Sequence, residues 1–258
     1  MYRKNIIKTI NTSSYFESLT EARFGSPLCG MFETLHRKVI QHLSHLLALQ
    51  SGPLLTLVII SEQNKRRSSA KEVVKMHAIT AANLRNAHGG ESMAHMRYLS
   101  WGNLAKKEGF PNVARLFIAI ASAETVHASN HFRELKDQFG ESLCASMAVF
   151  GSGSTSQNLQ GGINGETYEI TEMYPTYLET ARLQKEKGAE LSFHYALEGE
   201  KTHRALFQKA KESLDSGAKD MDLGPVRVCS VCGWTHEGDM PERCPICGAT
   251  KNKIDTFA

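Results

Sequence analysis

Thr80-Ala81-Ala82-Asn83-Leu84 followed by Gly90-Glu91 returns, at identical offsets, as Thr155-Ser156-Gln157-Asn158-Leu159 followed by Gly165-Glu166. The first acid leads after 33 positions to Glu124-Thr125-Val126-His127, and the second after 34 positions to Glu200-Lys201-Thr202-His203. Segments sharing a beginning and an end mark a duplicated helical hairpin that carries carboxylates and histidines. Each copy breaks at a turn, Lys107-Glu108-Gly109-Phe110-Pro111 in the first and Lys185-Glu186-Lys187-Gly188 in the second. Glu91 and His127 each lie 18 positions from Gly109. At a rise of ~1.5 Å per residue both stand ~27 Å from the hairpin tip and meet at one height. Glu169 and His203, 19 positions before and 15 after Gly188, stand at similar levels in the second copy. Residues three apart share a helix face, so each Glu-x-x-His can present both heads to one centre.

One Glu from each of two helices, plus a Glu-x-x-His from each of two others, is the di-iron or di-manganese arrangement of ferritin-like bundles. A single copy means little. With 21 Glu and 11 His in 258 residues about one Glu-x-x-His arises by chance, and Glu33-Thr34-Leu35-His36 is such a copy with no repeat around it. An isolated copy reads as a solvated helix surface; two copies at matched offsets inside a duplication do not.

The far end of the chain carries a second signal. Cys229-Ser230-Val231-Cys232-Gly233 and Cys244-Pro245-Ile246-Cys247-Gly248 are paired knuckles separated by 11 residues. Four thiolates so spaced make a tetrahedral metal site. The glycine closing each knuckle allows a tight turn and brings backbone amides toward the sulfurs. Two disulfides are the rival reading, disfavoured because the remaining cysteines, Cys29 and Cys144, are isolated and the chain lacks secreted character. Spacing leaves iron and zinc both open.

From about Met76 onward these residues resemble rubrerythrin, a ferritin-like four-helix di-iron bundle fused to a small C-terminal rubredoxin-like metal domain. The resemblance rests on Gly90-Glu91-Ser92, Ala123-Glu124-x-x-His127, Gly165-Glu166-x-x-Glu169-x-x-Glu172-Met173-Tyr174-Pro175, Glu200-x-x-His203, Cys232-Gly233-Trp234 and Cys244-Pro245-x-Cys247-Gly248. It implies an all-α bundle with a β/loop tail. It also implies two Fe in the bundle and one Fe held by Cys229, Cys232, Cys244 and Cys247. Glu91 would be a terminal ligand of one iron, Glu124 and Glu200 would bridge, and Glu166 and His203 would hold the second. His127 and Glu169 would be an exchanging pair, the histidine bound in the reduced state and the carboxylate replacing it on oxidation. Tyr98 and Tyr174 match tyrosines whose hydroxyls orient ligand carboxylates. Glu172 receives no role.

The family implies reduction of hydrogen peroxide in defence of a cytoplasm. Its electrons come from a rubredoxin-type donor or an NAD(P)H-dependent reductase. It also implies a head-to-tail homodimer in which each tail serves the partner's bundle. Helix length agrees: His203 stands ~16 Å of helix before the end of the fourth helix, so a tail hanging beyond that end is badly placed for its own bundle. Ferritin-like iron storage and a zinc-ribbon adaptor are the competing readings.

Helices are expected over 80–107, 112–139, 155–187 and 189–214. Gly140 to Ser154 forms the long crossover that starts the third helix parallel to the second. Residues 215–225 read as a linker and 226–258 as a domain too short to fold without metal. Residues 1–75 hold 11 Lys/Arg against 5 Asp/Glu, a net +6 against −3 for the remainder, so the basic balance of the chain belongs to this stretch. It reads as a poorly ordered appendage upstream of the repeat, with an amphipathic helix near 33–49 and only a faint transit-peptide character before Glu17. No sustained basic-aromatic surface points to nucleic acid, and the apolar run Leu54 to Ile60 is too short to span a membrane. His88, His95, His131 and His194 lack partner acids at ligand spacing and read as helix-surface groups. His236 reads as solvent-facing and Cys144 as a small apolar residue of the crossover.

Overall fold

The computed structural model describes residues 76–258; the readings made for 1–75 lie outside the described residues. The described chain forms α1 (Ala78–Lys107), α2 (Pro111–Glu134), α3 (Thr155–Tyr168), a π turn (Glu169–Met173), α4 (Tyr174–Leu183) and α5 (Lys187–Asp215). A small sheet follows, of β1 (Val226–Cys229), β2 (Thr235–Glu237) and β3 (Ile254–Phe257) in the order β2-β1-β3, all pairs antiparallel. Among the described residues no helix is long and apolar enough to cross a membrane.

Two antiparallel hairpins, α1/α2 and α3-α4/α5, build the bundle. The first turn closes as expected on Gly109 at φ +91°, with the Phe110 amide reaching back to the Ala105 carbonyl at 2.9 Å, a Schellman-type stop. The second turn uses the same bond, Glu186 N to Ala181 O at 2.9 Å, but its left-handed residue is Lys185 at φ +59°. Gly188 is not the pivot. It lies inside α5, where a Cβ would come within 1.9 Å of a Glu134 carboxylate oxygen, so its role is close helix approach.

Helix α2 stops at Glu134 instead of 139; Leu135 still packs on the core, and beyond it Lys136 and Phe139 are exposed. The crossover therefore begins earlier and climbs back along α1. The Ala145 amide donates to Asn86 Oδ1 at 2.9 Å, and Trp101 Nε1 donates to the Gly151 carbonyl at 2.9 Å. It delivers Ser154 as N-cap of α3 in a capping box with Gln157. There the Thr155 amide meets Glu108 at 2.9 Å, and α3 starts parallel to α2.

The single long helix expected over 155–187 is interrupted. Pro175 has no N–H for the Thr171 carbonyl four residues earlier. The chain widens into the π turn just before it, with the Tyr174 amide bonding the Glu169 carbonyl five residues back.

Residues 216–219 are exposed, but Asp220, Met221 and Leu223 tie the rest of the linker to the bundle. Asp220 caps α2 through the Asn112 and Val113 amides at 2.7 and 3.4 Å, and Arg115 holds the Leu223 and Phe257 carbonyls at 2.7 and 3.2 Å. Met221, Leu223, Val226 and Val228 are buried with Trp101, Phe117, Ile120 and Phe207 in one core cluster. This anchoring turns the tail back along α2 and α5, so it retraces the helix length that the sequence reading had placed between tail and site. The expectation that the tail hangs beyond the bundle is thereby corrected. A second core cluster around Leu84, Met173, Tyr174, Leu178 and Phe193 fills the other half of the bundle.

Candidate metal centres

Six buried side chains from four helices converge between the two cores. Glu91 comes from α1, Glu124 and His127 from α2, Glu166 from α3, and Glu200 and His203 from α5. They form two ligand groups, Glu91-Glu124-His127-Glu200 and Glu124-Glu166-Glu200-His203, the ligand atoms of each lying within 4.8 Å of one another. Glu124 and Glu200 belong to both. Glu169 joins neither group; it opens the π turn half-buried at the side of the cluster. Glu172 is exposed.

His127 Nδ1 lies 3.0 Å from Glu124 and 2.8 Å from Glu200, and His203 Nδ1 lies 2.7 Å from Glu200 and 3.3 Å from Glu124. Both outer nitrogens meet the tail, His127 Nε2 at 3.1 Å from the Cys232 carbonyl and His203 Nε2 at 2.9 Å from Thr235 Oγ1. A carbonyl only accepts, so His127 carries its proton on Nε2. Thr235 gives its own hydroxyl proton to the Gly233 carbonyl at 3.0 Å, so it too accepts from the ring. The tail thus fixes both tautomers with Nδ1 lone pairs turned inward, the form in which imidazole binds metal.

Each Nδ1 faces carboxylate oxygens, a contact that needs a cation, either a proton or a metal, at the ring nitrogen. Tyr98 Oη donates to Glu166 Oε1 at 2.6 Å and Tyr174 Oη to Glu91 Oε1, while Glu91 Oε2 and Glu166 Oε2 are buried without any hydrogen-bond partner. Burial and the neighbouring carboxylates push Glu91, Glu166 and Glu169 well above the usual carboxylate range. Burial alone would lower His203, but Glu124 and Glu200 raise it to about 9. Orphaned oxygens, crowded anions and inward lone pairs all call for positive charge at this spot. Two divalent metals satisfy them together.

The tail presents Cys229, Cys232, Cys244 and Cys247 as free thiols around one point. Sγ pairs Cys229–Cys247 and Cys232–Cys244 are both 3.5 Å apart, far beyond a disulfide and close to the ~3.8 Å edge of a tetrahedron with metal–sulfur bonds of ~2.3 Å. The knuckles are matched: Gly233 N to Cys229 O at 2.8 Å and Gly248 N to Cys244 O at 2.9 Å, with φ of +79° and +74°. Gly233 has a second duty. A Cβ on it would stand 2.1 Å from His127 Nε2, so the knuckle reaches the imidazole only as glycine.

Several side chains are placed differently from their sequence reading. His131 is a buried group, bonded to Ser192 Oγ at 2.8 Å and Tyr174 Oη at 3.0 Å. Its spacing from Glu124 and His127, seven and four positions, placed it on the same helix stripe and was the available signal. His88 and His95 are half-buried and hold α2 carbonyls at 3.0 and 2.7 Å; His194 is half-buried. His236 stacks on Trp234 with centroids 5.1 Å apart. Cys144 is exposed, with its sulfur over Gly89.

A helical bundle with a paired carboxylate–histidine centre and a four-thiolate tail defines a di-iron carboxylate oxidoreductase carrying its own rubredoxin-like iron site. The Rubrerythrin family model matches residues 82–211, and the model for the rubredoxin-like domain of rubrerythrin matches 228–254. The chain belongs to the rubrerythrin family. It is 54% identical over 181 residues to Rubrerythrin-2 of Clostridium acetobutylicum, covering 70% of this chain and 98% of that one. It is 32% identical to nigerythrin of Nitratidesulfovibrio vulgaris, covering 69% and 85%. The solved structure "Fully reduced state of nigerythrin (all ferrous)" superposes with a TM-score of 0.62 at 28% identity, covering 73% of this chain and 91% of that one. Both donor sets of this chain fit iron.

Both family models match residues beyond 75, and among the described residues the core clusters close without residues 1–75. Deleting residues 1–75 is therefore expected to leave iron content and turnover within a factor of about two. Iron analysis and a peroxide assay of the truncated chain check this; loss of iron or unfolding would show that the extension supports the bundle.

Proposed function

We propose that the chain reduces hydrogen peroxide to water in the cytoplasm, as a defence against oxidants, consuming two electrons and two protons per peroxide. The seat of the tail carries this reading: the carbonyl of one thiolate residue, Cys232, lies 3.1 Å from a ring whose other nitrogen faces the carboxylate cluster. One hydrogen bond joins a one-electron carrier to a two-electron centre. Iron held at both places would supply the redox chemistry, two electrons from the bundle pair and one from the tail, which zinc cannot supply.

In the roles we assign, Glu91 would help hold one metal, Glu166 and His203 would help hold the other, and Glu124 and Glu200 would serve both. His127 or Glu169 would complete the first set. In this structure His127 is the member seated among the carboxylates, while Glu169 waits at the π turn. Tyr98 and Tyr174 steady Glu166 and Glu91. The tail covers the outer faces of both imidazoles and keeps water from them. Electrons reach the tail from a rubredoxin-type protein or an NAD(P)H-dependent reductase.

Chain loaded anaerobically with iron is expected to hold about three Fe, two in the bundle and one in a red tail, in keeping with the ligand counts. In its reduced form it should consume added peroxide at about one molecule per two electrons. Accumulation of hundreds of irons per assembly would establish storage instead, and a colourless zinc tail would establish the adaptor.

A head-to-tail homodimer could form the same junction between chains by exchanging tails. With the tail seated on its own bundle, a mixture of Cys244→Ser/Cys247→Ser chains and Glu124→Ala/Glu200→Ala chains, unfolded and refolded together, is expected to stay inactive. Recovered turnover in the mixed dimer would place the junction between partners.

A further inference from the structure

Tyr174 is held from behind. Its hydroxyl oxygen contacts Glu91 Oε1 on one side and His131 Nε2 at 3.0 Å on the other. An ionised ligand carboxylate only accepts, so the single hydroxyl proton goes to Glu91 and the oxygen must accept from His131 Nε2–H. That leaves His131 Nδ1 as an acceptor, and Ser192 Oγ donates to it at 2.8 Å. Ser192 would otherwise do what Ser92 and Ser100 do in α1, returning their hydroxyl protons to carbonyls four residues back at 2.7 and 2.9 Å. Its proton is committed to the imidazole instead. All three members are buried. The line has one polarity: Ser192 to His131 to Tyr174 to Glu91.

The other half of the duplication lacks this device. Tyr98 donates to Glu166 at 2.6 Å, but its ring packs among Trp101, Phe117 and Phe207 with centroids 5.1–5.9 Å away. Among the described residues no side chain donates to its oxygen.

We propose that His131 and Ser192 are positioning residues of the di-iron centre, holding the Tyr174 proton on Glu91 Oε1 so that this ligand offers only Oε2 to its metal. Glu91 Oε2 is buried without a partner, as is Glu166 Oε2, so each of the two carboxylates keeps one oxygen free for metal. Glu166, steadied by a tyrosine with nothing behind it, is the less constrained ligand. The inference rests on the di-iron reading of the bundle, and its test separates the two.

The full-length chain is used, with iron kept in the tail and the bundle empty. Hydrogen-bonded tyrosine hydroxyl protons are followed by NMR, and Co(II) is then titrated into the bundle. In His131→Phe, which keeps a ring of similar size among Phe193 and Tyr174, the Tyr174 hydroxyl proton is expected to broaden or shift while that of Tyr98 stays. One of two Co(II) ions should bind about 10-fold more weakly, the usual effect of removing such an outer partner. Ser192→Ala should act in the same direction with smaller size, and His131→Gln, which retains an N–H donor, should recover most of the affinity. Unchanged Tyr174 signals with both Co(II) affinities within about two-fold of wild type in His131→Phe and Ser192→Ala would overturn the proposal. Wild-type chain that takes up no Co(II) pair would instead remove the di-iron reading, leaving the tyrosine signals to judge the hydrogen-bond line alone.

Discussion

Glu200→Ala, loaded anaerobically with iron, is expected to hold about one Fe per chain instead of about three, to stay red, and to turn over no peroxide. Glu200 is the residue on which both ligand groups depend: one oxygen lies 2.8 Å from His127 Nδ1 and the other 2.7 Å from His203 Nδ1. Removing it takes a donor from both metal positions at once and widens a site whose remaining ligands are fixed on separate helices. The tail thiolates belong to a different core cluster, with Trp234, so their iron should persist. Thermal unfolding gives a second readout, since a metal that binds only the folded state raises its stability. The melting temperature of wild-type chain should rise on filling the bundle, and that of Glu200→Ala should not. Retention of three irons would refute the shared role, and loss of the red colour as well would show that the two sites stand or fall together.

Gly233→Ala is expected to disconnect the two sites while emptying neither. The added methyl would stand 2.1 Å from His127 Nε2, so either the ring or the knuckle must yield, and the bond from His127 to Cys232 is lost in both cases. The backbone at φ +79° adds strain for any L side chain. A misplacement of about 1 Å in such a junction can cost about 10²-fold, and we expect turnover to fall by that order. Gly248→Ala is the control. It occupies the equivalent left-handed position of the other knuckle, φ +74°, with nothing within 4 Å of its would-be Cβ. It carries the strain without the collision and should keep turnover within a few-fold. Equal losses in both variants, measured at equal iron content, would mean that knuckle strain matters and contact with His127 does not.

The bundle was legible because its information is periodic. Glu91, Glu124, Glu166 and Glu200 recur at matched offsets, and helix geometry alone brings them to one height. The four cysteines were legible for a similar reason, since their spacing encodes a knuckle that needs no distant partner. What escaped depends on contacts between elements. Nothing local to Asp220 announces that it will cap α2 and fold the tail back. Nothing local to Gly233 announces that its missing side chain is occupied by His127 from another helix. His131 carried a signal in its spacing, but a search for partner acids overlooked it because its partners are a serine and a tyrosine. The turn at Lys185 was missed for a related reason: glycine was expected where the backbone turns left-handed, and Gly188 serves packing against Glu134 instead.

The widened turn at Glu169–Met173 sets the angular phase of the third bundle segment. Glu166 and Tyr174 are eight positions apart, which in an unbroken α-helix, at about 100° per residue, leaves them about 80° out of line. A π turn accommodates one residue more than an α turn, so the pair is aligned as though seven apart and falls within about 20°. One rod can therefore point Glu166 and Tyr174 at the same layer, the first as a ligand and the second to hold Glu91 on the opposite hairpin. Annealing the same residues into regular helix would rotate Tyr174, Leu178 and Ala181 together away from the interior they now fill. Pro175 stands against that rotation by withholding one amide proton, so the alignment of the metal centre depends on a residue that supplies no ligand to it.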